Sequence, residues 1–219
     1  MDIDQAAKRP PLFRAGALQA IELGPDGVPA LQRFFDANPA YFQTIGGQPP
    51  GQGEARQEYE DLPPAGMSFS RKWLLGFCAG PGSGSPDRLQ DPAGAELFGM
   101  ATVLSDMIAQ GVWHLGLYII ASALHGGGQA QALYQALEDW AVAQGAQWMR
   151  LGVVQGNTRA ERFWHRQGYQ PLRLRTGIVM GQRTNTVVVM LKPLRGQILP
   201  GPALDGYLSL VPRDRPEAE

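Results

Sequence analysis

Apolar residues along this chain fall into three patterns: short continuous runs, alternation, and recurrence every three to four positions. Each predicts a different element. The clearest passage is residues 112–140, VWHLGLYIIASALHGGGQAQALYQALEDW. Residues 112–121 are an apolar run rich in β-branched and aromatic side chains, short enough for a buried strand. Gly126, Gly127 and Gly128 follow, suited to backbone torsions that other residues avoid. Ala130, Leu133, Tyr134, Leu137, Trp140 and Ala141 then share one face of a helix over 129–144.

The same reading extends outward. Residues 1–16 read as a loose tail, 18–23 as a strand, and 28–37 as a helix stopped by Asn38-Pro39. Tyr41, Phe42 and Ile45 precede a Gly/Gln/Pro stretch at 46–53 that reads as loop, and 54–62 reads as a short polar helix. Strands are expected at 69–78 and 97–104, with a long loop over 79–94 between them. Beyond the central helix come a strand at 148–154, a helix at 157–167, and strands at 169–176 and 186–192. The organisation expected is a flexible tail over 1–16, one domain over 17–193, and a proline-bearing extension over 194–219. That extension leaves room for a further strand or for a contact between two copies in a homodimer. Hairpin strands followed by strand–helix–strand–helix–strand predict an α/β (α+β) protein with one mixed sheet and helices on both faces. Strands 112–121 and 148–154 should be parallel neighbours joined by a right-handed crossover.

Composition narrows the partners. Apolar residues make up 44% and charged ones 18%, a globular balance. Nineteen basic against twenty acidic residues give a net charge of -1, so no basic excess points to nucleic acid or an anionic membrane. Cys78 is the single cysteine, which excludes an internal disulfide and a cysteine-based zinc site; no metal site is expected. The polar start MDIDQAAKRPPLFR has no apolar signal core, and the expectation is a cytoplasmic protein.

The glycine turn carries the chemistry. A helix N-terminus exposes unpaired N–H groups and the positive end of the macrodipole. Glycines without side chains let an anion reach those groups, and a phosphate or pyrophosphate is the natural ligand.

The turn HGGGQA at residues 125–130 resembles the acetyl-CoA signature of the GCN5-related N-acetyltransferases (GNAT), written Q/R-x-x-G-x-G/A. Gly128 and Ala130 match it, and His125 stands where Gln or Arg is usual. Downstream, LGVVQGNTRAERFWHRQGY at residues 151–169 is similar to the family's second half, a strand, an Asn, a short helix with an aromatic pair, then Gly-aromatic. The resemblance implies a mixed, mostly antiparallel twisted sheet and an acetyl-CoA-dependent transfer of acetyl to a primary amine, with no metal. It implies a pyrophosphate on the backbone of His125, Gly126, Gly127, Gly128, Gln129 and Ala130. The pantetheine arm would lie along Tyr118, Ile119 and Ile120, in the splay between strands 112–121 and 148–154. Asn157 matches the family position that bonds the arm, and its other reading is an N-cap for the helix it opens. Phe163 and Trp164 complete the cofactor wall.

Direct transfer needs a base for the amine, a donor for the oxyanion and a proton or positive field for the thiolate. His114 matches the position of a catalytic glutamate in histone acetyltransferases of the family, and a histidine there can take a proton near neutral pH. Its alternative is a structural histidine beside Trp113 and Leu115. Asp106 and Glu22 are weaker base candidates. Trp164 departs from the tyrosine that often protonates the thiolate, because an indole N–H is not a useful acid. Tyr118 and Tyr41 are candidate substitutes. Cys78 reads as a small buried strand residue. The N-terminal half supplies aromatic Tyr41, Phe42, Tyr59, Phe69 and Trp73, with charges of mixed sign at Arg56, Glu58, Glu60 and Asp61, so the acceptor stays open. Two other functions compete: an acyl-CoA-binding module without turnover, and an unrelated phosphate-binding α/β protein.

Overall fold

The computed structural model describes residues 10–80, 96–194 and 201–215. Eight strands form one sheet: β1 (Phe13–Ala15), β2 (Leu18–Glu22), β3 (Arg71–Ala79), β4 (Gly99–Ser105), β5 (Val112–Ile120), β6 (Trp148–Val154), β7 (Gln170–Met180) and β8 (Arg183–Pro193). The spatial order is β1-β2-β3-β4-β5-β6-β8-β7. Every pairing is antiparallel except β5 with β6, the parallel pair that the sequence pattern requires. Among the described residues six α-helices flank the sheet: α1 (Val28–Ala37), α2 (Ala40–Gly46), α3 (Glu54–Glu60), α4 (Gln129–Ala143), α5 (Thr158–Arg166) and α6 (Pro202–Leu210).

The strands alternate their side chains between two cores, as a sheet covered on both faces must. On one face Leu133, Tyr134, Leu137 and Trp140 of α4 pack on Leu75, Val103, Trp113 and Met149. Trp140 meets the stacked pair Trp73–Trp113 edge-on, with ring centres 5.3 Å and 5.4 Å away. On the other, Leu31, Phe34 and Phe35 of α1 cover Leu74, Met100 and Ile119.

Three expectations change. Residues 13–15 are not loose: they pair with residues 18–20 as the edge strand β1, and Phe13 packs against Phe77 and Trp140. Tyr41, Phe42 and Ile45 belong to α2, which Gly47 ends with a left-handed torsion. The proline-bearing extension contains α6, and its Tyr207 is fully buried against Trp148. Most of the loop expected over 79–94 lies outside the described residues.

The last two strands also run longer than their patterns suggested, and make a hairpin that reaches back over the sheet. At its tip Gln182 N–H donates to Gly46 O at 2.8 Å, Arg183 Nη1 to Thr44 O at 2.7 Å and Asn185 Nδ2 to Ile45 O at 2.9 Å, which pins α2 over the sheet. Gly181 has φ +56°, and a Cβ there would stand 2.8 Å from Gly46 O, so only glycine permits this contact. β7 is the outer edge, with register breaks between Pro171 and Arg173 and between Arg175 and Ile178.

Candidate active site

The site begins with a bulge. β4 and β5 pair regularly until Thr102 meets Leu117 and Val103 meets Leu115, leaving Gly116 as the extra residue. A bulge bends a strand and increases its twist. β5 pairs with β6 only from Val112 to Leu115, so the two strands part where the bulge lies. Alternation along the ladder follows from Ala121 N–H donating to Phe98 O at 2.9 Å. It turns the polar groups of Ile119 towards β4 and those of Tyr118 and Ile120 towards the opening. The Ile119 and Ile120 side chains are buried in opposite cores, so neither lines the opening with its side chain.

At the end of β5 the chain passes through the exposed glycine turn into α4. Gly128 is the N-cap residue at φ +81°, and the first intrahelical bond runs from Ala132 N–H to Gly128 O at 3.0 Å. The amides before Ala132 therefore have no partner within the helix. The His125 ring Nε2–H donates to Ile120 O at 2.9 Å, which folds the turn against the strand end. Burial, then the charge of Arg159, push the His125 pKa down, so at neutral pH it offers a hydrogen bond rather than a charge. Tyr118 donates to Ala130 O at 2.6 Å and stacks on Phe163, ring centres 6.1 Å apart. Burial raises its phenol well above the usual value, so it holds α4 in place and is a poor acid. Asn157 caps α5, accepting from Ala160 N–H at 3.3 Å. Trp164 packs edge-on against Tyr118, Tyr134 and Tyr169.

The opening leads into a cleft with two lobes. One, of about 540 Å³, is walled by Tyr118, Val154, Asn157, Ala160 and Trp164 and roofed by Tyr41 and Phe42 of α2. The other, of about 350 Å³, is walled by His114, Arg150 and Arg175 on the sheet side. Glu58, Asp61, Gly116, Leu117, Gly152 and Met180 border both. Glu58 thus stands where the lobes meet, beside the bulge. Its carboxylate accepts from the Thr102 hydroxyl. Lys72 Nζ caps the end of α3, donating to the carbonyls of Glu58 at 2.5 Å and Asp61 at 2.6 Å. Burial raises the Glu58 pKa, Asp61 and Glu54 add to the rise, and Thr102 and Lys72 only partly oppose it.

His114 lies in the cleft, yet in surroundings that suit a base poorly. Its Nδ1 is 3.4 Å from Arg150 Nη1. Burial, then the Arg150 charge, push its pKa down to about 3. Arg150 is fixed from behind: its Nε and Nη2 donate to Asp214 at 2.8 Å and 3.1 Å, and all but a few per cent of both side chains is buried. Asp214 also accepts from Tyr207 and pairs with Arg173 at 3.3 Å. Asp106 serves structure, accepting from Gly111 N–H at 2.7 Å, and Glu22 pairs with Arg71 at 2.9 Å. Cys78 is buried, with Gln19 Nε2 3.9 Å from its sulfur. Among the described residues no group of three or more His, Cys, Asp or Glu is placed to hold a metal ion, and no helix is long and apolar enough to cross a membrane.

Arg150 and Arg175 are charged cleft residues absent from the sequence reading, and Glu58 entered it only as one of four charges of mixed sign. Glu58 had one signal: it falls one turn after Ala55, the buried position of an otherwise polar helix.

A parallel pair parted at a bulge, with a glycine turn opening the next helix, is the arrangement that the sequence resemblance leads one to expect. The chain belongs to the acetyltransferase (GNAT) family, whose model matches residues 54–169. An acetyltransferase from Thermus thermophilus superposes with a TM-score of 0.59 at 21% identity, over 81% of this chain and 97% of that one. The Salmonella typhimurium acetyl transferase that modifies the N-terminal serine of ribosomal protein L7/L12 gives 0.59 at 15% identity, over 84% and 98%. Spermidine N-acetyltransferase from Vibrio cholerae, in complex with CoA and spermine, gives 0.57 at 13% identity, over 81% and 96%. No curated protein sequence matches the chain.

Proposed function

We propose that this protein is an acetyl-CoA-dependent N-acetyltransferase that moves an acetyl group directly to a primary amine. The observation that carries the reading is the two-lobed cleft at the parting of β5 and β6, with Glu58 at its junction. The turn fits the donor: exposed glycines and the free amides of α4 suit a pyrophosphate. The open edge of β5 suits the amides of a pantetheine arm, walled by Asn157 and Trp164, while Phe163 backs the wall by stacking on Tyr118.

Acetyl-CoA supplies an activated thioester, and the chain supplies position and a proton acceptor. A raised pKa brings Glu58 nearer to that of an amine and makes it a stronger proton acceptor than an ordinary carboxylate. It takes the proton as the amine attacks. His114, neutral at that pH, acts through hydrogen bonding and shape. The Trp164 indole and the engaged Tyr118 phenol are not acids of useful strength, so solvent protonates the leaving sulfur. The reading places the enzyme in the cytoplasm, with no nucleic acid or membrane partner.

Incubation with acetyl-CoA and a panel of primary amines, following free thiol, tests the reading. Amine-dependent thiol release is expected. Binding of CoA without release for any amine would leave an acyl-CoA-binding module instead.

A further inference from the structure

We propose that the acceptor is a small amino carboxylate with an apolar side chain, its amine received by the acidic side of the Arg150–Arg175 lobe and its carboxylate by the basic side. The inference rests on the acetyltransferase reading for what happens to the amine, and on the lobe itself for what binds.

The lobe is divided by charge. Glu58 and Asp61 border it from the α3 side, where it joins the rest of the cleft. Lys72 lines the same side with its ammonium held by the carbonyls of Glu58, Tyr59 and Asp61, so two carboxylates face one engaged cation there. His114, Arg150 and Arg175 border it from the sheet. Much of the remaining lining is apolar, with Met67, Leu104, Met107 and Ile178. A volume of about 350 Å³ suits a molecule the size of an amino acid.

Asp214 is the basic side's only buried carboxylate among the described residues, and it is shared between Arg150 at 2.8 Å and Arg173 at 3.3 Å. Two guanidinium nitrogens of Arg150 are committed to it, and the third, Nη1, is turned towards His114 in the lobe. Arg175 lies two residues beyond Arg173 on the same face of β7, and among the described residues its side chain makes no hydrogen bond or ion pair. His114 adds no positive charge at neutral pH and no negative charge at any. An arginine in a cavity wall without a counter-ion matches the planar, two-oxygen geometry of a carboxylate.

Other acceptors fit worse. A polyamine would set a second ammonium against Arg175 and Arg150, a like-charge contact in a partly desolvated site. An uncharged amine would displace water from Arg175 and return nothing.

The test uses the full chain with CoA bound. Calorimetry compares leucine, methionine, valine and phenylalanine with their own carboxamides, and with spermine. At least one amino acid should bind tenfold or more tightly than its amide, and spermine more weakly than either. Arg175→Gln should bring the acid-to-amide ratio close to one, and Arg175→Lys should restore part of it, in proteins of unchanged melting temperature. Equal binding of acids and amides, tighter binding of spermine, or a ratio untouched by Arg175→Gln overturns the inference. Thiol release is read in parallel. Turnover that favours amides or polyamines sinks the acceptor assignment and leaves the acetyltransferase reading standing. Discriminating binding without turnover does the reverse.

Discussion

Glu58 meets two opposed demands, and its substitution should separate them. Burial raises its folded-state pKa, so its ionisation works against folding. The stability linked to it is full below the unfolded-state value and declines as pH rises through the folded one. Glu58→Gln keeps an acceptor for Thr102 and removes that loss. Thermal melting at pH 8 should show the variant at least as stable as the parent, with any gain vanishing below about pH 4. Its kcat/KM should fall by a factor on the order of 10²–10⁴. In the parent, kcat/KM should rise with pH through a value above the usual carboxylate range. His114 has the opposite sign. Its pKa is lowered from 6.5 to about 3, so the folded state resists a proton that the unfolded state accepts. Stability tied to it is present above 6.5 and drains away as pH falls towards 3. His114→Gln should flatten the melting temperature over that window while retaining most of the rate.

At the level of elements, the turn into α4 makes a prediction in which two effects point apart. Gln129→Asp puts a carboxylate in the first turn of a helix, where the dipole welcomes it by about 0.3–1 kcal/mol. The same charge faces the pyrophosphate position. The melting temperature without ligand should rise slightly while calorimetry shows CoA affinity falling about tenfold, or about 1.4 kcal/mol. Equal affinity would mean that the pyrophosphate lies elsewhere. This turn was legible in sequence because everything that makes it is local: a β-rich run, three glycines and one helical stripe. So were α1 and β6, whose observed limits coincide with their patterns. The acceptor lobe was not. Glu58 is hydrogen-bonded by Thr102, 44 residues away, and Arg150 is fixed by Asp214, 64 residues away, so their surroundings exist only after the sheet closes. His114 shows the same limit, since its position on the strand was readable and the arginine that depresses it was not. β1 and α2 escaped for a different reason, being too short to show a period.

Across the whole molecule, the segment after β8 is tied to the sheet by the buried Asp214, which pairs with Arg150 of β6 and Arg173 of β7. Desolvation alone would raise the Asp214 pKa, but its hydrogen bonds with Arg150, that residue's charge and the Tyr207 hydroxyl outweigh it and hold the pKa below the usual value. Asp214→Asn leaves Arg150 charged and buried without a counter-ion. Such losses amount to about 3–5 kcal/mol, and urea unfolding should show it. A change under about 1 kcal/mol would mean that water has replaced the carboxylate.

The outer edge of the sheet has a consequence for the protein in crowded solution. β7 is eleven residues long and carries Leu174 and Val179 exposed, which would make a ready template for strands of neighbouring chains. Pro171 offers no N–H, and the breaks at 171–173 and 175–178 cut the row of backbone groups into short pieces that no incoming strand can follow. The irregularities therefore act as a guard against aggregation. Pro171→Val would restore a donor at the start of that edge, and light scattering should reveal clustering at concentrations where the parent chain stays clear.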